Sequence, residues 1–96
     1  MRWSHMVIAE AISDEIVNQI VTEMRGHVAE IPGMICHSIL VEEGGRMVVL
    51  ITEWRNRQDC LTYHANKAYR QLVVRTQHML VGNYVVKLFH NNTDGE

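Results

Sequence analysis

The sequence predicts an α+β fold with the element order β-α-β-β-α-β. Four segments are apolar at nearly every position, which is typical of strands, and they alternate with segments whose apolar residues recur at helical spacing. The pair Gly44-Gly45 separates two of the apolar segments and predicts a tight hairpin turn. The 96 residues are the size of one domain, so we treat 1–96 as a single unit with a core over about 7–90 and a polar tail over 91–96.

The first third of the chain predicts a strand followed by a helix. His5–Ile12 is apolar apart from one interior charge and is expected to be the first strand. Ser13 can cap the helix that follows, which we expect to continue to about Ala29, where Pro32-Gly33 then ends it. The helix carries one apolar stripe, which consists of Ile16, Val17, Ile20, Val21, Met24 and Val28.

The middle of the chain predicts an antiparallel hairpin. Met34–Glu42 and Met47–Trp54 are the second and third strands, and the glycine pair lies between them. Paired glycines suit such a turn because they accept positive φ angles. The polar cluster after Trp54 ends the third strand.

Two further helices and a last strand complete the prediction. Asn56 or Asp59 can cap a short helix that ends near His64, and Asn66 can cap a longer one that ends near Leu80. Tyr84–His90 is then the fourth strand. This connectivity is the ferredoxin-like arrangement, in which the antiparallel sheet carries its helices on one face.

The strands also predict a partner. A sheet with one solvent-exposed face has strands in which apolar and polar residues alternate. Three of the strands lack this alternation, namely Ser38–Val41, Met47–Ile51 and Tyr84–Phe89. The helices of one chain can cover only one face, so the second apolar face needs another molecule. We expect a homodimer in which two sheets pack face to face.

Composition and charge exclude several classes of protein. With 9 Lys+Arg against 11 Asp+Glu, the net charge of −2 gives no electrostatic footprint for nucleic acid or an anionic membrane surface. Only 6% of the residues are aromatic, so we expect an aliphatic core. Cys36 and Cys60 form no CxxC pair and have no histidine at zinc-ligand spacing, so we expect no metal site and two buried thiols.

The N-terminal segment predicts no signal peptide and no membrane span. Ser4, His5 and Glu10 interrupt its apolar residues, so no continuous apolar run forms. We therefore expect a cytoplasmic protein, and we assign no function to the residues before Val7.

The stretch Glu53–Leu72 holds the chain's densest group of aromatic and hydrogen-bonding side chains. It begins at the end of the third strand and continues through both predicted helices. Its candidate functional residues are Trp54, His64, Tyr69 and Arg70. We expect any functional site to lie there.

The spacing of these residues resembles the antibiotic-biosynthesis-monooxygenase (ABM) domains. The features that carry the resemblance are Pro32-Gly33-Met34, the glycine hairpin, Thr52-Glu53-Trp54, His64 ten positions later, Tyr69-Arg70 and Gly82-Asn83-Tyr84. The resemblance covers about residues 7–90. It implies a dimeric α+β barrel with a pocket between sheet and helices, bordered by Trp54, His64 and Tyr69.

Some members of that superfamily are cofactor-free oxygenases that act on quinols or anthrone-type polyphenols, and others degrade haem. Val73 stands where the haem-degrading branch has its iron-ligating histidine, which argues against haem ligation of that kind. Leu50 stands where the polyphenol oxygenases have an asparagine. The resemblance therefore implies an oxygenase without a cofactor, although it departs from the polyphenol oxygenases at Leu50.

The residue types themselves suit that chemistry. An oxygenase without metal or flavin must make its substrate electron-rich by removing a phenol or quinol proton, and His64 is the candidate base because imidazole titrates near neutrality. Trp54 offers a flat wall and one N–H donor. Tyr69 or Arg70 can stabilise a phenolate or peroxide anion. His37, on the second strand, is a further candidate for the same pocket.

Each candidate has a plainer role that the sequence leaves open. Trp54 and Tyr69 can be core residues, His64 can complement the dipole at a helix end, and Arg70 can be a solvated helix charge. Two functions therefore remain. The first is a cofactor-independent monooxygenase that oxidises a small aromatic or quinol-like molecule, and the second is a non-catalytic homodimer that binds a small hydrophobic ligand as a carrier or sensor.

Overall fold

A computed structural model describes residues 2–92 of the chain. The predicted fold class is confirmed, because four antiparallel strands form one sheet in the order β2-β3-β1-β4 and the helices lie against one of its faces. In chain order the elements are β1 (Trp3–Glu10), α1 (Asp14–Ala29), β2 (Cys36–Val41), β3 (Met47–Trp54), α2 (Arg57–His64), α3 (Lys67–Thr76), a 3-10 turn (Gln77–Met79) and β4 (Val85–His90).

The first strand begins earlier than the sequence predicted. β1 lies between β3 and β4, and its pairing with both extends back to Trp3, which is opposite Trp54 on one side and His90 on the other. The backbone N–H of Asn91 donates to the carbonyl of Arg2 at 2.9 Å just beyond this point. Of the predicted polar tail, residues 93–96 lie outside the described residues.

The last helix is shorter than predicted. It ends at Thr76 and not near Leu80, because the chain that follows hydrogen-bonds to the end of β1. The N–H of Ile12 donates to the carbonyl of Met79 at 3.0 Å, and the N–H of Val81 donates to the carbonyl of Glu10 at 2.8 Å. These bonds draw the chain back toward the sheet, so only a 3-10 turn continues beyond the helix.

Local chemistry explains the remaining boundaries. The side chain of Asn56 accepts from the N–H of Asp59 at 2.8 Å, and that of Asn66 accepts from the N–H of Ala68 at 2.6 Å, so both helices after β3 are capped as predicted. Ser13 occupies the N-cap position of α1 but forms no capping hydrogen bond through its side chain. In the hairpin only Gly44 has a positive φ, 73°, which favours glycine at that position. At Gly45 an added Cβ would overlap the side chain of Glu42.

The inner face of the sheet packs against the helices and forms the core. Val7 and Ala9 of β1 and Val48 and Leu50 of β3 are buried there. The expectation of a purely aliphatic core is wrong, because Trp54, Tyr63 and Tyr69 are also buried, together with His5 and His27. These rings lie between the helices and the ends of β1 and β3 that α2 contacts.

The outer face of the sheet is not covered within the single chain. Leu40, Val85 and Phe89 project from it and are 51%, 49% and 47% exposed. Cys36 lies on the same face, where its thiol donates to Oε2 of Glu53 at 3.0 Å. The prediction of two buried thiols is therefore right for Cys60 and wrong for Cys36. Within residues 2–92, no helix has the length and hydropathy needed to cross a membrane.

Candidate functional site

The main cavity lies between α3 and the inner face of β4. Its volume is about 660 Å³, within the range of roughly 300–1,000 Å³ usual for small-molecule sites. It forms there because the inner face of β4 is only partly covered by the helices. An apolar wall is formed by Val73, Val74, Leu80 and Val86, and hydrogen-bonding groups are supplied by His64, Tyr69, Arg70, Gln77, Asn83 and Tyr84.

His64 is the last residue of α2 and lies on the wall of this cavity. Its Nδ1 is 2.9 Å from Nε2 of His5, which projects from β1 beneath it. Because Nδ1 is occupied by this hydrogen bond, Nε2 is the ring nitrogen that remains for a molecule in the cavity. Exposed His64 at the end of α2 is thus hydrogen-bonded to buried His5 on β1.

His5 is fully buried, with 0% of its surface exposed. Desolvation, together with smaller contributions from the charges of the neighbouring His64 and His27, lowers its pKa to about 4. His5 is therefore a neutral imidazole at neutral pH. Its Nδ1 has no hydrogen-bond partner among residues 2–92.

Tyr69 and Arg70 flank His64 on the cavity wall. The ring of Tyr69 is 5.3 Å from that of His64 and 5.0 Å from that of His5, measured between centroids. Burial raises the pKa of Tyr69 to about 12, so its hydroxyl keeps its proton and can donate a hydrogen bond. Arg70 is exposed at the rim and forms no ion pair within the described part of the chain.

Trp54 is apart from this group. It is 4% exposed, its ring stacks on Tyr63 with a centroid distance of 4.9 Å, and its N–H donates to Oγ1 of Thr52 at 3.0 Å. It borders a second cavity of about 330 Å³, formed with the loop at Pro32-Gly33 and with α2. The structure thus places Trp54 and His64 on different cavities, and the indole donor already has an internal partner.

His37 lies on the edge strand β2, opposite Thr52 of β3. Its side chain is exposed and lines neither of the two cavities. The fold therefore brings together three of the five predicted site residues, His64, Tyr69 and Arg70, while Trp54 and His37 lie elsewhere.

Three residues of the site were not assigned a role from the sequence. His5, His27 and Tyr63 complete an aromatic cluster, which we define as His5, His27, Trp54, Tyr63, His64 and Tyr69. Nε2 of His27 is 2.8 Å from the hydroxyl oxygen of Tyr63, and both are buried. Burial lowers the pKa of His27 and raises that of Tyr63, so both are neutral at neutral pH.

Within residues 2–92, no group of three or more His, Cys, Asp or Glu side chains is arranged to hold a metal ion. Val73, at the position where the haem-degrading branch has its ligand, lines the cavity with an apolar side chain.

Comparison with known proteins supports the fold independently. No protein-family model matches the chain, and no curated protein matches it in sequence. Solved structures do match it over nearly its whole length. A protein from Deinococcus radiodurans, provisionally named an antibiotic biosynthesis monooxygenase, superposes with a TM-score of 0.78 at 13% identity and covers 100% of this chain and 97% of its own.

Two further structures extend this similarity. SnoaB from Streptomyces nogalater, a cofactor-independent oxygenase, has a TM-score of 0.74 at 14% identity, over 99% of this chain and 98% of its own. A dimeric ferredoxin-like protein of unknown function from Thermobifida fusca has a TM-score of 0.72 at 16% identity, over 93% of this chain and 90% of its own. The resemblance to ABM domains is thus confirmed at the level of the fold, which this chain shares with proteins of that name.

Proposed function

We propose that this protein is a cofactor-independent monooxygenase that oxidises a small aromatic or quinol-like substrate in the cavity between α3 and β4. The observation that carries the proposal is the position of His64, which presents Nε2 on the cavity wall while Nδ1 is held by buried His5. The fold shared with SnoaB, a cofactor-independent oxygenase, supports it.

The first step is removal of a proton from the substrate. An anthrone-type molecule in its phenol form donates its O–H to Nε2 of His64, so the O–H bond breaks and an N–H bond forms. The apolar wall, which includes Val73, Leu80 and Val86, keeps water from the aromatic rings. The phenolate that remains is electron-rich enough to react with dioxygen at its ring carbon.

The overall reaction balances without another reductant. A substrate R₂CH₂ and O₂ give R₂C=O and H₂O: two C–H bonds and the O–O bond break, one oxygen atom enters the product and the other leaves as water. Negative charge develops on the phenolate and then on the peroxide oxygen. The Tyr69 hydroxyl, which stays protonated, and the Arg70 guanidinium lie on this cavity and can stabilise it.

We propose that the protein acts as a homodimer. The exposed apolar side chains on the outer face of the sheet support this, because a patch that includes Leu40, Val85 and Phe89 is unfavourable in water. The Thermobifida fusca structure with this fold is described as dimeric. Two outer faces packed together would remove both patches from water.

A second candidate function is ligand binding without turnover. The apolar wall of the cavity favours it, since such a wall suits a carrier or sensor of a small hydrophobic molecule. Both candidates use the same cavity and differ only in whether His64 accepts a proton from the bound molecule.

Oxygen uptake under ¹⁸O₂ tests the proposal. Purified protein treated with a chelator is incubated with a panel of anthrones and quinols, and uptake is corrected for autoxidation. We expect uptake with one ¹⁸O atom in the product and no hydrogen peroxide released. The variant His64→Ala should lose on the order of a hundredfold or more in rate, as removal of a general base usually does.

The matched control is His78→Ala, which removes an exposed histidine from the 3-10 turn, away from both cavities described above. It should retain the wild-type rate. Binding of a panel member without any His64-dependent uptake would favour the ligand-binding alternative.

A further inference from the structure

We propose that His5 is a positioning residue for His64: its Nε2 accepts a hydrogen bond from Nδ1–H of His64, and this leaves Nε2 of His64 without hydrogen on the cavity wall. The inference rests on the proposed function and adds to it a residue that does not touch the substrate. It assigns a role to a side chain at the centre of the sheet.

The geometry fixes both rings. The two nitrogens are 2.9 Å apart, which is a normal hydrogen-bond length, and His5 projects from a strand that is paired on both sides. The ring of His5 meets those of Tyr63 and Tyr69 edge to face, with centroids 4.9 Å and 5.0 Å away. His5 is thus held in one orientation and in turn holds the exposed ring of His64.

A single hydrogen lies between the two nitrogens when both rings are neutral. A base at Nε2 of His64 requires that this hydrogen belong to Nδ1 of His64, so the partner must be an acceptor. Buried His5 satisfies that requirement because it stays neutral at neutral pH. In the Ser-His-Asp triad an aspartate holds the imidazole tautomer in the same way, with the difference that here the acceptor carries no charge.

The neutral acceptor has a chemical advantage. A carboxylate beside His64 would favour the imidazolium form and keep the base protonated, whereas an imidazole fixes the tautomer without a full negative charge. This arrangement is unfavourable for His5 itself. Its own hydrogen must then be on Nδ1, which is buried and has no hydrogen-bond partner among the described residues. Such unpaired groups are rare in folded proteins.

The opposite arrangement has the opposite consequence. If Nε2–H of His5 donates to Nδ1 of His64, then His64 carries hydrogen on Nε2 and presents a donor to the cavity. It would then recognise a carbonyl or phenolate oxygen and could not remove a proton. The two arrangements therefore differ in a directly measurable property, the protonation of each nitrogen of His64.

Nitrogen NMR of protein labelled with ¹⁵N-histidine measures this property. Two-bond correlations to the ring protons identify which nitrogens carry hydrogen, and spectra of His64→Gln and His5→Gln assign the two rings. At neutral pH, with 1-naphthol as a phenol probe under nitrogen, we expect hydrogen on Nδ1 of His64 and on Nδ1 of His5. A His64 with hydrogen on Nε2 and none on Nδ1 would overturn the proposal.

Two substitutions of His5 separate positioning from packing. Glutamine can place its amide oxygen near the position of Nε2 and accept from His64, whereas asparagine is too short and reaches only the position of Nδ1. We expect oxygen uptake of His5→Gln within about threefold of wild type, and that of His5→Asn lower by about tenfold to a hundredfold. Thermal unfolding of both variants shows whether each is folded.

The outcomes keep the two proposals apart. If no substrate gives oxygen uptake but the wild-type tautomer is as expected and changes in His5→Asn, the proposed oxygenase activity fails and the role of His5 stands. If the tautomer of His64 is the same in wild type and in folded His5→Asn, the role of His5 is wrong whatever the activity.

Discussion

The hydroxyl of Tyr63 on α2 and Nε2 of His27 on α1 are 2.8 Å apart, and both side chains are buried. This hydrogen bond joins the two helices within the aromatic cluster. It supplies each residue with the polar partner that a buried hydroxyl or imidazole nitrogen requires. Tyr63 also stacks on Trp54, so one side chain connects α1 to the end of β3.

Tyr63→Phe should lower the free energy of unfolding by about 1–3 kcal/mol, because it leaves the His27 nitrogen buried without a partner. Urea denaturation measures this change. The matched control is the double variant Tyr63→Phe/His27→Phe, in which neither partner remains polar and part of the loss should be recovered. If the loss of the double variant equals the sum of the losses of Tyr63→Phe and His27→Phe, the two side chains do not stabilise each other and the prediction is wrong.

The stability of the protein should fall as the pH decreases from about 6.5 to about 4. Burial lowers the pKa of His5 from 6.5 to about 4 in the folded chain, so between these values the unfolded chain binds a proton that the folded chain does not. Above 6.5 His5 is neutral in both states and has no effect. At about 1.4 kcal/mol per pH unit, the loss that His5 causes reaches roughly 3 kcal/mol near pH 4.

His27, whose pKa burial also lowers, contributes in the same direction. Urea unfolding at several pH values tests this, with His5→Gln as the control for all other titrating groups. The slope below pH 6.5 should be smaller in the variant. An identical slope in the two proteins would show that His5 is protonated equally in the folded and unfolded states.

Val49→Glu should convert the proposed dimer into a monomer. Val49 lies on the outer face of the central strand β3, opposite Ile8 of β1, and a carboxylate buried between two sheets would be desolvated without a partner. Light scattering after size exclusion at micromolar concentration measures the mass. Val81→Glu, at a residue 50% exposed beyond the last helix, is the control and should leave the mass unchanged. A monomeric wild-type protein would contradict the dimer.

Arg70→Gln should weaken binding of an anionic aromatic ligand and leave a neutral ligand of the same shape unaffected. Arg70 lies at the rim of the main cavity and also borders a groove with Lys67 and Arg75, so an anion there meets positive charge. Because the guanidinium is exposed, the expected loss is modest, about twofold to fivefold.

Titration with 1-naphthoate and 1-naphthol, followed by protein fluorescence, compares the two ligands. Arg25→Gln removes an exposed charge from α1 and serves as the control. Equal losses for the two ligands would mean that Arg70 contributes to the shape of the rim and not to charge recognition.

The helices and strands were predictable because their apolar residues recur at regular spacing or in continuous runs. The bounds of β3 and the end of α1 agree with the prediction, since a continuous apolar run and a helical stripe leave few alternatives. The end of α3 was not predictable, because it depends on hydrogen bonds between Met79, Val81 and the distant strand β1. No local signal encodes such bonds.

The site was predictable only in part. His5 is two residues before Val7 and four before Ala9, so it lies on the same face of β1 as these buried residues. His27 follows Ile20 and Met24 at helical spacing, so it lies on the buried face of α1. The sequence pattern thus indicates burial for both histidines. The separation of Trp54 from His64 had no such signal, because it follows from how α2 lies across the ends of two strands.

The pairing of β1 with both β3 and β4 has a consequence for how the chain folds. The contacts between β1 and β4 join residues such as Val7 and Val86, so their formation closes a loop that contains most of the chain. A circular permutant that links the end of β4 to the start of β1 and opens at the Glu43–Gly45 turn would convert these distant contacts into a local hairpin. The bond between Arg2 and Asn91 already brings those ends together, so this permutant keeps the sheet. The β2–β3 pairing then joins the two ends of the permuted chain, so the pairing that forms slowly should change from β1–β4 to β2–β3.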